Sequence, residues 1–344
     1  MNWINKNVFF SLLLLFTSLF ISIIFFEIIL RVLNIGYGNA PLVSDPKLHH
    51  SHPVNYKFRS HNPTNEYGGH MIYYDENGLM SAKTSKIKSK GDTCRIAFLG
   101  DSFTEAVQVD YEDSFVGLID NQTECIVKNY GVSSYSPILY LLQWQFIENS
   151  FNPTHVFVQL FSNDMDGDKR YFAMAEKDKF DNVIAVPGPR VDWLRVQLRK
   201  SYLLRFIRKT QLKLMWIYNN SKTDNKLVVS GTVEEEPNLT DLSKLYIKKL
   251  NDNIVSSGSK LILFAVPSKF DTVNRSYNQR IGFSDKIRNF SKEINVEFIN
   301  LDKEFEKASI NGESLFFEKD IHFNENGHLL VADLIAKQFK DLFE

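Results

Sequence analysis

Cysteine is nearly absent from this chain: 344 residues contain two, Cys94 and Cys125. With no CxxC pair and no Cys/His cluster, the sequence offers no structural zinc site. Net charge is nearly absent too, since 40 Lys and Arg stand against 41 Asp and Glu. That balance gives the chain as a whole no electrostatic reason to bind nucleic acid, and no nucleic-acid partner is expected. Nothing in the sequence calls for a metal or an organic cofactor.

What is present is 44% hydrophobic content, enough for one large domain or two ordinary ones. Val8 to Phe26 is almost wholly apolar, with Lys6 before it and Glu27 and Arg31 after it. A helix of that length rises about 28 Å, close to the thickness of a bilayer core. A secretory signal has a shorter apolar core and a small-x-small cleavage site; neither is found, so the stretch reads as an uncleaved anchor. Lys6 and the α-amino group favour a cytoplasmic N-terminus, a bias that Arg31 weakens. The expectation is a single-pass anchor over residues 1–35, touching the membrane through residues 8–26, with the bulk of the chain outside the inner membrane. Residues 36–92 are polar and scattered with Pro, Gly, Asn and His, and read as a stalk and loosely structured lead-in. Within them Asp75-Glu-Asn-Gly78 is a turn signal for a hairpin or edge element.

The rest is organised around Arg95-Ile-Ala-Phe-Leu-Gly-Asp-Ser-Phe-Thr-Glu105. Ile96 to Leu99 read as a buried strand stopped by Gly100 and Asp101. Ser102 stands just past its end, either as a nucleophile near a helix start or simply as an N-cap. Further strands are expected at Glu124–Gly131, His155–Phe161, Lys260–Val266 and Val296–Leu301, and helices at Ser114–Ile119, Pro137–Asn149 and Glu325–Phe343. Strands alternating with helices predict an α/β domain over 93–344, with a parallel sheet covered on both faces. Right-handed crossovers then bring Ser102, Gly131 and Asn163 to one rim. Residues of about 165–258 exceed any compact crossover and predict a helical insertion. Val191 to Tyr218 in it fits one or two basic amphipathic helices, either an ordinary solvated face or a contact for anionic lipid or glycan. Lys222 to Asn238 reads as a flexible loop.

Acyl transfer needs a nucleophile, a base, an orienting acid and an oxyanion hole. Ser102 offers the first. His322 offers the second, and Asp320, two residues before it, can steady its imidazole from one short loop. The backbone N–H groups of Ser102 and Gly131 and the amide of Asn163 are candidate oxyanion donors. Each residue also has an ordinary role in turns and caps; it is their shared position at strand ends that groups them.

Gly100-Asp-Ser-Phe-Thr-Glu105 resembles the nucleophile block of the SGNH (GDSL-type) hydrolase superfamily. Asn129-Tyr-Gly131 resembles its second block, Ser162-Asn-Asp164 its third and Asp320-Ile-His322 its last, in the right order between about residues 94 and 340. The resemblance implies a flavodoxin-like three-layer sandwich with about five parallel strands. It implies Ser102 as nucleophile, His322 as base, Asp320 as its orienting acid, and Ser102, Gly131 and Asn163 as oxyanion donors. The anchored layout is similar to bacterial cell-surface members that add or remove acyl groups on glycans. The expected activity is therefore a serine esterase on acylated carbohydrate or another ester. A glycan O-acyltransferase component working with envelope-biosynthesis partner proteins, a non-catalytic glycan-binding scaffold and a lipid esterase are the alternatives. Two departures from the pattern stand out: Phe161 and Ala106 occupy positions where family members often carry glycine.

Cys94 and Cys125 open the first two strands. As parallel neighbours they are placed for a structural disulfide outside the inner membrane; two buried free thiols is the reading the sequence slightly favours.

Overall fold

In the computed structural model, residues 6–33, 35, 42–62, 64, 66–84, 88–90, 93–190, 198, 200–222, 239–269, 272 and 282–343 are described. The chain runs α1 (Lys6–Val32), β1 (Val43–Asp45), β2 (His49–Ser51), β3 (Tyr56–His61), β4 (Gly68–Tyr74), β5 (Arg95–Leu99), α2 (Ser102–Glu105), α3 (Phe115–Gln122), β6 (Ile126–Asn129), α4 (Pro137–Ser150), β7 (His155–Leu160) and α5 (Asp164–Met174). It continues through β8 (Glu176–Lys177), β9 (Val183–Ala185), α6 (Tyr202–Lys222), α7 (Asp241–Ser256), β10 (Lys260–Ala265), α8 (Phe283–Glu293), β11 (Glu297–Ile299), α9 (Asp302–Ile310) and α10 (Glu325–Gln338).

Both faces of the central strands are apolar. Ile96, Phe98, Phe157, Ile262 and Phe264 are buried in one cluster, and Ala97, Leu99, Val156, Val158, Leu261 and Leu263 in another. A sheet apolar on both sides must be covered on both. Residues of α3, α9 and α10 complete the first cluster, and residues of α4, α7 and α8 the second. The sheet order is β6-β5-β7-β10-β11, with every pair parallel. Counted along the chain that is 2-1-3-4-5, the flavodoxin-like order, as expected from the sequence. The order reverses between β5 and β7, which opens a crevice at their C-terminal ends where ligands bind in such sheets.

The structure departs from the sequence reading in four places. The lead-in is packed on the domain over its described residues: β3 and β4 pair antiparallel and Met80 bridges to Asn129 at the end of β6, while the Tyr74–Met80 bridge across the Asp75–Gly78 turn is the edge element expected there. Phe58, Ile72, Tyr74 and Met80 are buried together with Tyr111. The polar composition hid this because only one residue in two along each strand faces inward.

The insertion is narrower than residues 165–258. Met165 and Tyr171 of α5, and Tyr246, Ile247, Leu250 and Ile254 of α7, lie in the same core cluster as α4. What exceeds an ordinary crossover lies between α5 and α7: the antiparallel pair β8–β9 and the helix α6. Of the basic stretch Val191–Tyr218, residues 191–197 and 199 fall outside the described residues, as does nearly all of the Lys222–Asn238 loop.

The last helix stops at Gln338, where Phe339 leaves helical geometry (φ −117°, ψ 48°) and a 3-10 turn follows.

Cys94 and Cys125 form a disulfide rather than the free pair. The parallel register Arg95↔Ile126 sets their Cα atoms 4.8 Å apart, within bridging range. Closing a separation of 31 residues contributes roughly 3–4 kcal/mol on the loop-entropy account.

One buried histidine contributes stability that acid removes. His328 of α10 is 1% exposed, and its Nδ1 accepts the Phe115 N–H at 3.3 Å. Burial, with the nearby His322 adding to it, pulls the His328 imidazole down to about 3. In the unfolded chain a histidine takes its proton near pH 6.5. Between those two values the unfolded state binds more protons, so stability falls as pH falls. The His328 contribution lost between pH 7 and about pH 4.5 is roughly 2–3 kcal/mol. Urea midpoints at the two pH values are expected to differ by more in the wild type than in His328→Gln. Equal differences in the two proteins would assign the acid sensitivity elsewhere.

Candidate active site

Ser102 stands where β5 ends. A Cβ on Gly100 would fall on Thr104 Oγ1 and Gln159 Oε1, so only glycine leaves those two side chains room. The N-cap of α2 is Asp101, whose Oδ1 accepts the Phe103 N–H at 2.9 Å. The capping role that Ser102 offered is thus filled by its neighbour, and Ser102 Oγ instead meets His322 Nε2 at 2.7 Å. Ala106 closes α2 in the left-handed region (φ 56°, ψ 39°). That conformation suits glycine better than alanine, which accounts for the glycine often found at its position in the family the sequence resembles.

His322 lies on the loop ahead of α10. Its Nδ1 is 2.5 Å from Asp320 Oδ1, and the same oxygen accepts the His322 backbone N–H at 3.0 Å. The two-residue spacing therefore closes a local ring that sets both the loop and the imidazole. Asp320 Oδ2 accepts the Tyr67 hydroxyl at 3.2 Å. Burial pushes the Asp320 carboxyl up, but the hydrogen bonds and charge of His322 and the Tyr67 bond outweigh it and hold the group below the usual carboxylate range. The loop is also held from outside: Lys269 Nζ, just after β10, donates to the carbonyls of Phe317 (2.5 Å), Glu318 (2.7 Å) and Asp320 (3.0 Å). The Phe103 ring backs the imidazole with centroids 4.8 Å apart, and Phe161 packs on Phe103 at the same distance. Phe161 thus extends an aromatic wall along the crevice.

The three expected oxyanion donors are placed differently from one another. Among the described residues the Ser102 N–H, at the first position of α2, takes no hydrogen-bond acceptor. Asn163 is exposed at the start of α5, and its side chain makes no capping bond. The Gly131 N–H, by contrast, donates to Asn129 Oδ1 at 2.9 Å. Gly131 has a steric reason to be glycine: a Cβ there would fall on the backbone of Thr104 and Glu105. The loop after β6 can therefore lie directly on the back of α2.

That contact is locked by a buried carboxylate. Glu105, fully buried, accepts the Tyr74 hydroxyl at 3.0 Å through Oε1 and the Ser133 N–H at 2.7 Å through Oε2, and its Oε1 is 3.0 Å from His52 Nε2. Burial raises Glu105, but His52 and Ser133 outweigh it and bring it down to about 2. Beneath the rim, Asp101 and Asp164 show the opposite balance. Burial lifts Asp101 to about 6, and burial together with the facing Asp101 charge lifts Asp164 well above the carboxylate range.

The sequence reading brought Ser102, Asp320 and His322 to one place but missed Tyr67, Lys269, Glu105 and His52. Glu105 was legible inside the first block, and the run His49-His50-Ser51-His52 was a signal in a chain with eight histidines. Lys269 had none, since a lysine after a strand is ordinary. A cavity of about 320 Å³ lies elsewhere, between α4, β9 and α7, lined by Leu141, Val183, Tyr246 and Lys249, and shares no residue with this site.

No protein-family model and no curated protein matches the chain. Solved structures are similar to it at low identity. The psychrotrophic esterase EstA from a Pseudoalteromonas species is 15% identical, with 72% of this chain and 97% of that one covered and a TM-score of 0.39. A member of the lipolytic protein G-D-S-L family from Veillonella parvula is 15% identical, covering 73% and 100%, with a TM-score of 0.40. A catalytic mutant of Axe2, an acetylxylan esterase from Geobacillus stearothermophilus, is 13% identical, covering 72% and 94%, with a TM-score of 0.42.

Proposed function

We propose that this chain is an SGNH-type serine esterase that removes ester-linked acyl groups, O-acetyl on a cell-envelope glycan foremost. One observation carries the reading: Ser102 Oγ, the His322 imidazole and Asp320 form a single line of contacts of 2.7 and 2.5 Å across 220 residues of sequence. Ser102 Oγ attacks the ester carbonyl carbon as His322 Nε2 takes its proton. Asp320 keeps the imidazole oriented and stabilises its cation. The negative charge on the carbonyl oxygen is met by the Ser102 N–H, the Asn163 amide and the Gly131 N–H, the last of which also donates to Asn129 Oδ1. Collapse of that intermediate breaks the ester C–O bond; His322 returns the proton to the departing sugar oxygen and leaves the acyl group on Ser102. Water, deprotonated by His322, then releases the acid and restores the serine.

Phe161, half-buried beside the site, narrows it and favours a short acyl group. An oxidised Cys94–Cys125 pair fits a compartment outside the cytoplasm. The N-terminal helix from Val8 to Val32, with mean hydropathy 2.6, is long and apolar enough to cross a membrane, a property shared by spans and signal sequences. In this reading residues 1–35 anchor the chain in the inner membrane, 36–92 lead in and brace the site, and 93–344 carry the chemistry.

A fluorophosphonate probe tests the proposal. Labelling of the folded protein on the peptide containing Ser102, with acetate released from acetylated xylan, is the expected result. Folded protein that resists the probe yet is retained on a glycan column would make it a binding protein instead.

Lys269 is the site's positioning cation. In Lys269→Met the stem remains and three carbonyls lose their donor. The expected result is a fall in kcat on p-nitrophenyl acetate of about 10–100-fold with KM changed far less, since the His322 loop loosens by a fraction of an ångström. An unchanged kcat would mean that the Asp320–His322 ring holds the loop unaided.

A further inference from the structure

Helix α6 is fastened to the end of α1. Glu27, the first residue after the apolar run, accepts Ser201 Oγ at 2.8 Å, the Tyr202 N–H at 3.0 Å and the Leu203 N–H at 2.8 Å. A carboxylate is thereby placed on the N-terminus of α6, where it caps the helix and meets the positive end of its dipole. Arg31 completes the joint, donating to Glu27 at 2.7 Å and to the Lys200 carbonyl at 3.1 Å, with its guanidinium over the Tyr202 ring. The joint sits at one level only. Along α1 the apolar side chains before Glu27 are exposed, Phe26 among them at 54%, and cover begins at Glu27 and Leu30. So α6 starts level with Glu27 and does not lie along the residues before it, while α1 runs on past the joint with Ile28 and Val32 exposed.

The face that α6 presents is unusual for a polypeptide in water. Leu204, Ile207, Leu214, Met215 and Tyr218 are 41–61% exposed. At 3.6 residues per turn they fall within about 100° of arc, while Phe206 and Ile217, 40% and 48% exposed, lie outside that arc. Arg208, Lys209 and Lys213 share the helix, Arg205 is taken up by the Tyr56 hydroxyl at 2.8 Å, and no acidic residue lies between Tyr202 and Lys222.

We propose that α6 lies in the headgroup layer of an anionic bilayer around the emerging end of α1, its apolar arc in the acyl boundary and its cations on phosphate. The composition is that of an interfacial helix, and the joint to Glu27 puts it at the depth such a helix occupies. The inference goes beyond the esterase reading and rests on α1 spanning the bilayer. With two attachments, the domain is held at a set orientation to the surface instead of swinging on one tether.

The test uses the full chain in phospholipid nanodiscs, of phosphatidylcholine alone or with phosphatidylglycerol added. An environment-sensitive fluorophore is placed on Ile207→Cys, Leu214→Cys, Leu14→Cys in α1 or Val255→Cys on α7; the native cysteines are bonded to each other and leave one labelling site. Nitroxide lipids are expected to quench positions 207 and 214 severalfold more than 255, more strongly with phosphatidylglycerol, and less in an R208Q/K209Q/K213Q background. Quenching at 14 with none at 207 and 214 would overturn the proposal while leaving the anchor. Absence of quenching at 14 would overturn it by removing the span. Equal quenching with and without phosphatidylglycerol would sink the anionic-lipid claim. Shielding of 214 from aqueous iodide without nitroxide quenching would identify a protein, not lipid, as the occupant. Turnover of p-nitrophenyl acetate on the same discs reads the catalytic site independently.

Discussion

Ser102→Ala is expected to lower turnover of p-nitrophenyl acetate by three or more orders of magnitude with the fold intact. The side chain is half-buried, and its oxygen's partner is His322 Nε2 at 2.7 Å. Removing that oxygen leaves no cavity of consequence, and α2 keeps its cap because Asp101 provides it. Stability is therefore spared while, in the proposed mechanism, the acyl-enzyme has no atom on which to form. Loss of the nucleophile in such a triad leaves only the catalysis of the oxyanion donors and of binding, which accounts for a deficit of about 10³-fold or more. Thermal melting alongside initial rates checks both halves. A folded variant that retains turnover would place the chemistry elsewhere.

Asp320→Asn is expected to cost about 10²–10⁴-fold in kcat at neutral pH. Asp320 accepts three donors at once: the His322 backbone N–H, its ring Nδ1 and the Tyr67 hydroxyl. Asparagine has one oxygen for them. If that oxygen stays on the His322 side, the geometry survives but the charge that steadies the imidazolium is gone. If the amide turns, its N–H₂ meets Nδ1 and drives the ring proton to Nε2, where it blocks proton acceptance from Ser102. Both outcomes reduce the rate, and both slow labelling of Ser102 by the fluorophosphonate probe. A loss below tenfold would mean that His322 works without a charged partner.

Much of the sheet was legible beforehand because buried parallel strands write themselves as short apolar runs closed by turn residues. Leu99 before Gly100 and Leu160 before Phe161 ended within one residue of the expected limits. The lead-in was legible only at the Asp75–Gly78 turn, across which Tyr74 bridges to Met80. Its strands alternate polar and apolar residues, so Tyr74 and His52 looked like residues of a solvated stalk until packing turned them toward Glu105. The disulfide was open for a related reason, since spacing alone does not say which strands are neighbours; the register of β5 on β6 does.

By itself the sequence determined the α/β alternation, the apolar run at the N-terminus and the candidates Ser102, Asp320 and His322, because each is encoded in a local pattern of a few residues. Only the tertiary structure decided what surrounds them: Tyr67 on Asp320, Lys269 on the carbonyls of the His322 loop, Glu105 behind Gly131 and Glu27 on α6. Those partners come from distant segments whose own composition is unremarkable, and a hydrogen bond at 3 Å depends on where the backbone arrives, not on which residue types lie nearby in the chain.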